Sequence, residues 1–460
     1  MQYDVSSAQE LTAAIAKAQA GDVVVIAAGQ YTLPEVDFTA SGTAAQPIVV
    51  RAAQALTAQI TLASTEGLRV TGAYWTFEGL VLLGGCGLDS DCERAVHVVG
   101  GADGFTLRGS RLVDFNRQID VEALALDGGA LAPRAGLIEG NEVHDTHARA
   151  TPTQVAKISV GAGDGWTVRA NLVHDFQRVD GAAAYGIVLS GGGQNGVVER
   201  NLVLCTHDWV PSKGSTSVGV SLVDHSGGVL RNDVVVACSG DGMAVTRGPG
   251  THLWFDTLID TTGVDLTEPT TSGEARGNVL GGTIRAVDAG AVTVADNLDQ
   301  VSPNAFLLMY QAPLDGNLRS ASPGSVGAVL GKGPTLAAVT DDYCARPRAV
   351  PYDLGALQAS LGDCDTVPPP LVAPEGGAPD AGSDAATADD ASPGPDATIG
   401  GDGGSGAGEQ PGGGGGCGCT TEGRAGSGAG ALAMLVAVVL ALIGRPHPPG
   451  PPPRKQGGGA

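Results

Sequence analysis

GNEVHDTH, residues 140–147, sets His144 and His147 around an acid, at a spacing that metal sites on helices use. The chain repeats this shape. ANLVHDFQ follows at 170–177, RNLVLCTH at 200–207, RNDVVVAC at 231–238 and FDTLIDTT at 255–262, with GSRLVDFN upstream at 109–116. An internal period outranks any local motif. Aligned on Ser110, Asn141, Asn171, Asn201, Asn232, Asp256 and Asn278, the copies step by 31, 30, 30, 31, 24 and 22 residues. An apolar residue stands two places after each of the first six pivots: Leu112, Val143, Val173, Val203, Val234 and Leu258.

Each copy carries short runs of Val, Leu, Ile and Thr bounded by Gly, Asn and Asp, such as KISV (157–160), WTVR (166–169), YGIVLS (185–190), GVSLV (219–223) and MAVT (243–246). These are strand-length, and their alternation turns one face inward. No helix-length periodic segment interrupts residues 70–300. Three short strands per repeat predict an all-β fold, a right-handed parallel β-helix, with aligned Asn amides hydrogen-bonded along its axis. In it His144 and His174 stack on adjacent coils, outward beside inward Val143 and Val173, and Asp114, Asp145, Asp175 and Asp260 serve as turn acids. The helical spacing of His144 and His147 then has no helix under it, and no metal is expected. A surface zinc bridging His144 and His174 stays open as an alternative, without support in the sequence.

SSAQELTAAIAKAQAGD (6–22) is an amphipathic helix capped by Ser6 or Ser7, with Glu10 near the capping-box position and Gly21 at its end. It would close the first coil. The following stretches, GDVVVIAAGQYTL (21–33), SGTAAQPIVVRAA (41–53) and LRVTGAYWTFEGLVLLGG (68–85), resemble the opening coils of the pectate-lyase-like superfamily. The nearest likeness is to its chondroitinase B and alginate lyase group. The resemblance is good over residues 5–85 and extends at fold level to about 300.

The chain of 460 residues carries a net charge of −23. Nine acids and four bases follow residue 365, which leaves 40 acids and 22 bases, or −18, before it. Nucleic acid is therefore excluded as a partner. The cysteines pair by position as Cys86 with Cys92, Cys205 with Cys238 and Cys344 with Cys364, which suggests disulfides and export; buried free thiols are the alternative. We read 3–300 as the β-helix, 301–365 as a C-terminal cap segment, and 366–416 as a disordered acidic Pro/Gly/Ala linker. Residues 417–460 hold Cys417 and Cys419, an apolar run at 428–444 that could span a membrane, and a basic end. This tail resembles the surface-sorting signal of myxobacterial proteins, which implies processing by sorting machinery near the cysteines and display at the cell surface. A simple membrane anchor is the alternative. MQYDVSSAQ has no apolar run, so an export signal is expected to be missing from a truncated start.

The resemblance implies a groove along one sheet, a Lys base, an Arg beside it, and acids holding calcium. The family's Glu-x-Ile-Ser-x-Lys run aligns with AKISVGAG (156–163), with Ala156 at the acid position and Gly161 at the lysine position. Val or Leu stands where the Arg is expected, in YGIVLSGGG (185–193), and metal-binding acids are not evident. No cofactor is expected; calcium is possible in such a groove but has no support in the residues. By alternation His97, Lys157, Ser159, Ser217, Ser221, Thr246, Asp265 and Arg285 point outward. Lys157, Arg178, His147 and Tyr185 are the candidate catalytic residues, and Asp145 with Asp175 a candidate carboxylate pair. His207, Asp208, Trp209 and Lys213 are the candidate ligand-binding residues, with Trp209 either a sugar platform or a side chain folded over the solenoid. Trp75, Trp166 and Trp254 read as packing residues. The favoured function is binding of extracellular or cell-wall polysaccharide by a surface-anchored β-helix. A polysaccharide lyase or glycoside hydrolase with a site of its own, and a structural or adhesive surface protein, are the alternatives.

Overall fold

The structure, a computed structural model, describes residues 1–127, 129–209 and 214–364. Its chain winds as a right-handed parallel β-helix of three long sheets. Sheet A has twelve strands from Gln2–Val5 to Val292–Ala295. Sheet B has ten, from Gly29–Leu33 to Val279–Leu280, and sheet C ten, from Val36–Phe38 to Thr283–Arg285. One coil runs through Leu137–Glu139 in A, Glu142–His144 in B and Val155–Gly161 in C, and the next returns to A at Thr167–Arg169.

The register stacks like on like. Leu112, Val143, Val173, Val203, Val235, Leu258 and Leu280 form one inward column in sheet B. Ile119, Ile158, Ile187, Val220, Met243 and Val264 form another in sheet C. Both belong to one apolar core that runs from Val5 to Leu280. Trp75 and Trp166 are fully buried in it, while Trp254 is buried on sheet A against Phe255 and Tyr352.

The A-to-B corner carries the amide ladder. Asn141 Nδ2 donates to Asn171 Oδ1 and Asn171 Nδ2 to Asn201 Oδ1, both at 3.0 Å. Each amide also donates to a carbonyl of the coil before, Leu107, Ile138 or Val168. The next rung is Asp233, not Asn232, since Asn201 Nδ2 donates to Asp233 Oδ1 at 2.9 Å. The residue before each rung sits in the left-handed region: Gly140, Ala170, Arg200, Asn232 and Phe255 have φ of 62°, 53°, 57°, 57° and 59°. Asn tolerates that region well, so Asn232 resembles a rung while filling the turn. The inward residue of that coil is accordingly Val235, and Val234 faces out.

The N-terminal helix is shorter than its amphipathic stretch, Ala8–Ile15. Ser7 caps it, and Glu10 reaches back to the Ser6 amide at 2.8 Å. The Asp22 carboxylate takes the Gln19 amide at 2.9 Å, holding residues after the helix in a turn that feeds Val23–Ile26. Leu11 and Ile15 close the first coil over Ile26, Leu33 and Phe38.

Disulfides join Cys86 to Cys92, Cys205 to Cys238 and Cys344 to Cys364. Residues 301–364 pack against the flank of the helix. Val301, Phe306, Met309, Leu318 and Val329 cover Leu202, Leu204, Val234, Val236 and Ile259 on the outer face of sheet B. Among the described residues no helix is long and apolar enough to cross a membrane. Lys213, the linker 366–416, Cys417, Cys419 and the apolar run 428–444 lie outside the described residues.

Candidate functional site

The outer face of sheet C and the B-to-C turns beside it hold most of the residues singled out in the sequence. One register column reads Asp37, Arg69, His97, Asp120, Ser159, Val188, Ser221, Ala244, Asp265 and Arg285. His97, Ser159, Ser221, Asp265 and Arg285 thus stand in line as alternation requires. Thr246 lies two residues further along its strand, paired with Val223 and Thr267.

The first coils of this face carry a charge cluster that the sequence reading missed. Arg94 reaches Asp120 at 2.6 Å and Glu66 at 3.1 Å, and Arg117 reaches Asp120 at 2.8 Å, Glu93 at 2.9 Å and Glu122 at 3.0 Å. His97 Nδ1 lies 2.5 Å from Glu66. Burial raises the Asp120 carboxyl despite its two arginines. Glu122 falls well below the ordinary range, through His97 at 3.4 Å and then the charges of Arg94 and Arg117, against burial. Setting RAVHVV (94–99) over RQIDVE (117–122) places Arg on Arg and His on Asp. The guanidiniums are committed to neighbouring carboxylates, so a sugar acid would have to displace them.

Beyond the cluster the face turns bare. Ala156 and Gly161, at the acid and lysine positions of the resembled lyases, pair with Tyr185 and Ser190 on the next coil. Lys157 does not face out. It is fully buried, with Nζ 2.5 Å from Asp145 Oδ2 and 2.9 Å from the Phe115 carbonyl. Its neighbour in register, Gly186, faces the same interior: a Cβ there would meet Val203 and Phe176. Burial pulls the Lys157 amine down to about 8, with Asp145 opposing. Asp145 is therefore an interior ion-pair partner rather than a turn acid, and it also accepts from Gln118 at 3.1 Å. Asp114, Asp175 and Asp260 do occupy left-handed turn positions, at φ 64°, 52° and 53°.

The other candidates are spread over the turns. Arg178 is buried, bound to Asp180 at 2.6 Å and to the Thr151 carbonyl at 3.0 Å. His147 is exposed and 3.1 Å from Asp89, which Arg149 also meets at 3.0 Å. Tyr185 is half-buried on the outer face of sheet C. Among the described residues no hydrogen bond or ion pair joins any two of Lys157, Arg178, His147 and Tyr185. Asp175 is committed to His174 at 2.7 Å and to the amides of His207 and Asp208, so it forms no carboxylate pair with Asp145. Trp209 folds back over the solenoid, its indole N–H donating to the Asp145 carbonyl at 3.2 Å.

On the outer face of sheet B, His144 and His174 stack at 4.4 Å between ring centres, as their register requires. Burial, aided by His174, draws His144 down to about 4. Burial opposes the charge on His174 too, yet its hydrogen bond with Asp175 and the nearby Glu142 carboxylate lift it to about 9. His207 lies beyond, 2.7 Å from Asp208 and 3.7 Å from Asp315.

A cavity of ≈ 390 Å³ opens where the chain passes from sheet B into sheet C, lined chiefly by Gln177, Thr206, Ser217, Ser239, Asp260 and Thr261. Ser217, predicted outward, is buried at its wall. The Ser239 hydroxyl accepts from the Ser217 amide at 2.9 Å, and Ser217 Oγ accepts from the Ser239 amide at 3.1 Å. The Cys205–Cys238 bridge ties the two coils at this wall.

Comparison with known proteins agrees with this architecture. The chondroitinase B family pattern matches residues 5–93. No curated protein matches the chain. Among solved structures, pectate lyase Pel9A superposes with a TM-score of 0.51 at 15% identity, covering 75% of this chain and 90% of its own. A rhamnogalacturonan lyase gives a TM-score of 0.50 at 12% identity, over 69% and 88%. An alginate lyase from Paenibacillus sp. str. FPU-7 gives 0.41 at 18%, over 65% and 99%. At these identities the likeness to pectate lyase Pel9A and to the rhamnogalacturonan lyase is one of fold.

Proposed function

We propose that this β-helix binds an extracellular polysaccharide along the outer face of sheet C, seating a sugar unit in the cavity at the B-to-C turns. The observation that carries the reading is that cavity: ≈ 390 Å³, walled by hydroxyls held by backbone hydrogen bonds, with Asp260 at its rim. Fixed hydroxyls and an amide side chain are groups that recognise sugar hydroxyls. Coils rise by about 4.8 Å, a step comparable with the length of one sugar ring, so an extended chain can repeat its contacts from coil to coil. The disulfides favour an exported protein. Attachment to the cell surface through residues 417–460 completes the proposal.

Binding is preferred to cleavage on the state of Lys157. An amine enclosed against Asp145 cannot reach a substrate's C5 proton, and Ala156 and Gly161 offer no replacement. Affinity electrophoresis of the full chain on neutral and uronate polysaccharides tests the proposal, with unsaturated-end absorbance followed in parallel. Retardation on at least one glycan, weakened about tenfold or more by the cavity-filling Thr206→Tyr, is the expected outcome. Release of unsaturated or reducing ends would make the protein a lyase or a hydrolase instead. Absence of retardation across the panel would favour a structural or adhesive spike.

A further inference from the structure

The outer face of sheet B carries a second group of chemistry, away from the sheet C face. Residues 301–364 cover this face at Leu202, Leu204, Val234 and Val236. One coil short of that cover stand Glu142, His144 and His174, none of them used by the polysaccharide reading. Glu142 and His144 are two apart on one strand, and His174 pairs with His144 on the next. All three therefore leave the same face of the sheet.

Their donor atoms converge. His174 Nε2 lies 3.7 Å from Glu142 Oε1 and His144 Nδ1 lies 3.9 Å from the same oxygen. A donor atom from each of the three lies within 4.8 Å of the others. Both separations exceed hydrogen-bonding distance. Ligands of a tetrahedral zinc, at 2.0–2.2 Å from the ion, stand about 3.4 Å from one another. The rings are stacked in this structure, 4.4 Å between centres and 16° between planes, so one imidazole has to turn out of the stack, with donor shifts of about an ångström, to bring all three atoms onto an ion.

A second observation points to a ligand. His144 Nδ1 is buried and has no hydrogen-bond partner. A buried ring nitrogen without a partner is costly, and a metal ion is one group that satisfies it. The surroundings are those of a supported metal site. His174 Nδ1 is 2.7 Å from the Asp175 carboxylate, which fixes the ring and leaves Nε2 toward Glu142. Arg111 Nε donates to Glu142 Oε2 at 2.7 Å, so the carboxylate is oriented with Oε1 toward the rings. Histidine held by a carboxylate, and a carboxylate ligand held by a hydrogen bond, are the second-layer contacts metal ligands keep.

We propose that Glu142, His144 and His174 form a binding site for a divalent transition-metal ion of the zinc type, linking two consecutive coils of sheet B. Two imidazoles and one carboxylate suit zinc over calcium, which takes six to eight oxygens. Three protein ligands leave a coordination position open to water or an anionic group. The site is independent of the cavity in sheet C, so either can stand without the other.

Zinc titrated calorimetrically into the full chain tests this, with Cys417→Ser and Cys419→Ser in every sample to remove the tail thiols. One saturable site per chain is expected, with a higher melting temperature in zinc than in chelator. Glu142→Gln and His144→Ala should each weaken zinc binding tenfold or more, while His207→Ala leaves it unchanged. Cobalt in place of zinc should show d–d absorption without a thiolate charge-transfer band. Glu142→Gln is nearly isosteric and provides the test if a histidine variant fails to fold. Absence of saturable zinc binding in the parent chain would overturn the proposal. So would unaltered affinity in Glu142→Gln, or a loss confined to His207→Ala.

Discussion

Lys157 and Asp145 close on each other inside the coil, so removing the amine strands a carboxylate among apolar walls. Lys157→Ala should therefore destabilise the domain by about 3–5 kcal/mol, read by denaturant unfolding, and Lys157→Met with Asp145→Leu should recover much of the loss. Equal stabilities of the single and double variants would contradict the pairing. The amide ladder holds a second buried charge problem. Asp233 and Asp256 are consecutive rungs, and the outer oxygen of each is buried without a hydrogen-bond partner. Burial raises both carboxyls; the charge of Glu199 raises Asp233 further, and that of Asp233 raises Asp256. A carboxyl raised on folding adds stability that is complete below its unfolded pKa and is lost as pH rises through the folded value. Melting temperature should therefore fall as pH rises from about 4, where unfolded Asp titrates, through about 7 for Asp233, with Asp256 adding to the fall in the same direction. Asp233→Asn keeps the Oδ1 that accepts from Asn201 and adds an amide. By the ladder's rule that amide donates to the Val198 carbonyl. The variant should melt higher than the parent at the alkaline end and lose most of the pH slope. An unchanged slope would place the titration elsewhere.

Among elements, the B-to-C turns carry the most constraint, because the Cys205–Cys238 bridge crosses consecutive coils at a separation of 33 residues. Closing a loop of that length in the unfolded chain corresponds to about 3–4 kcal/mol. Cys205→Ser with Cys238→Ser should lower the unfolding free energy by that order and loosen the Ser217–Ser239 wall of the cavity. Glycan affinity should fall with it; full affinity in the reduced variant would detach the cavity from binding. The three sheets were legible because each coil repeats the same inward apolar residue, and periodicity of that kind survives insertion of loops. The slip from Asp233 to Asn232 arose because Asn suits both the rung and the left-handed turn before it. The short helix differs from its longer amphipathic stretch because the Asp22 turn, a tertiary demand, ends it early. Lys157 misled for a related reason. Alternation predicts facing only while the strand stays regular, and at the corner entering sheet C consecutive residues such as Ala95 and Val96 both join the core. The charge cluster at Arg94 and Arg117 escaped notice since its members are 23 residues apart, off the thirty-residue beat of the later coils.

At the scale of the whole molecule, the described coils form one rod with a continuous core, and charge decides what can lie along it. The chain carries −23 overall, and the arginines on the outer face of sheet C, Arg69, Arg94, Arg117 and Arg285, are each paired with acids. A neutral glycan approaches such a face without electrostatic cost, whereas a polyuronate meets repulsion along its length. Screening should separate the two cases, because the Debye length shrinks from about 10 Å at 0.1 M salt to about 3 Å at 1 M. Retention of a neutral polysaccharide should stay flat across that range, and retention of a polyuronate should strengthen as salt rises. The opposite trend, polyuronate binding that weakens with salt, would mean that the arginines leave their carboxylates to grip the ligand. In that event the cluster at Arg94 and Arg117, rather than the hydroxyl-lined cavity, would be where the glycan is held, and Arg117→Gln should abolish the salt dependence while Thr206→Tyr leaves it intact.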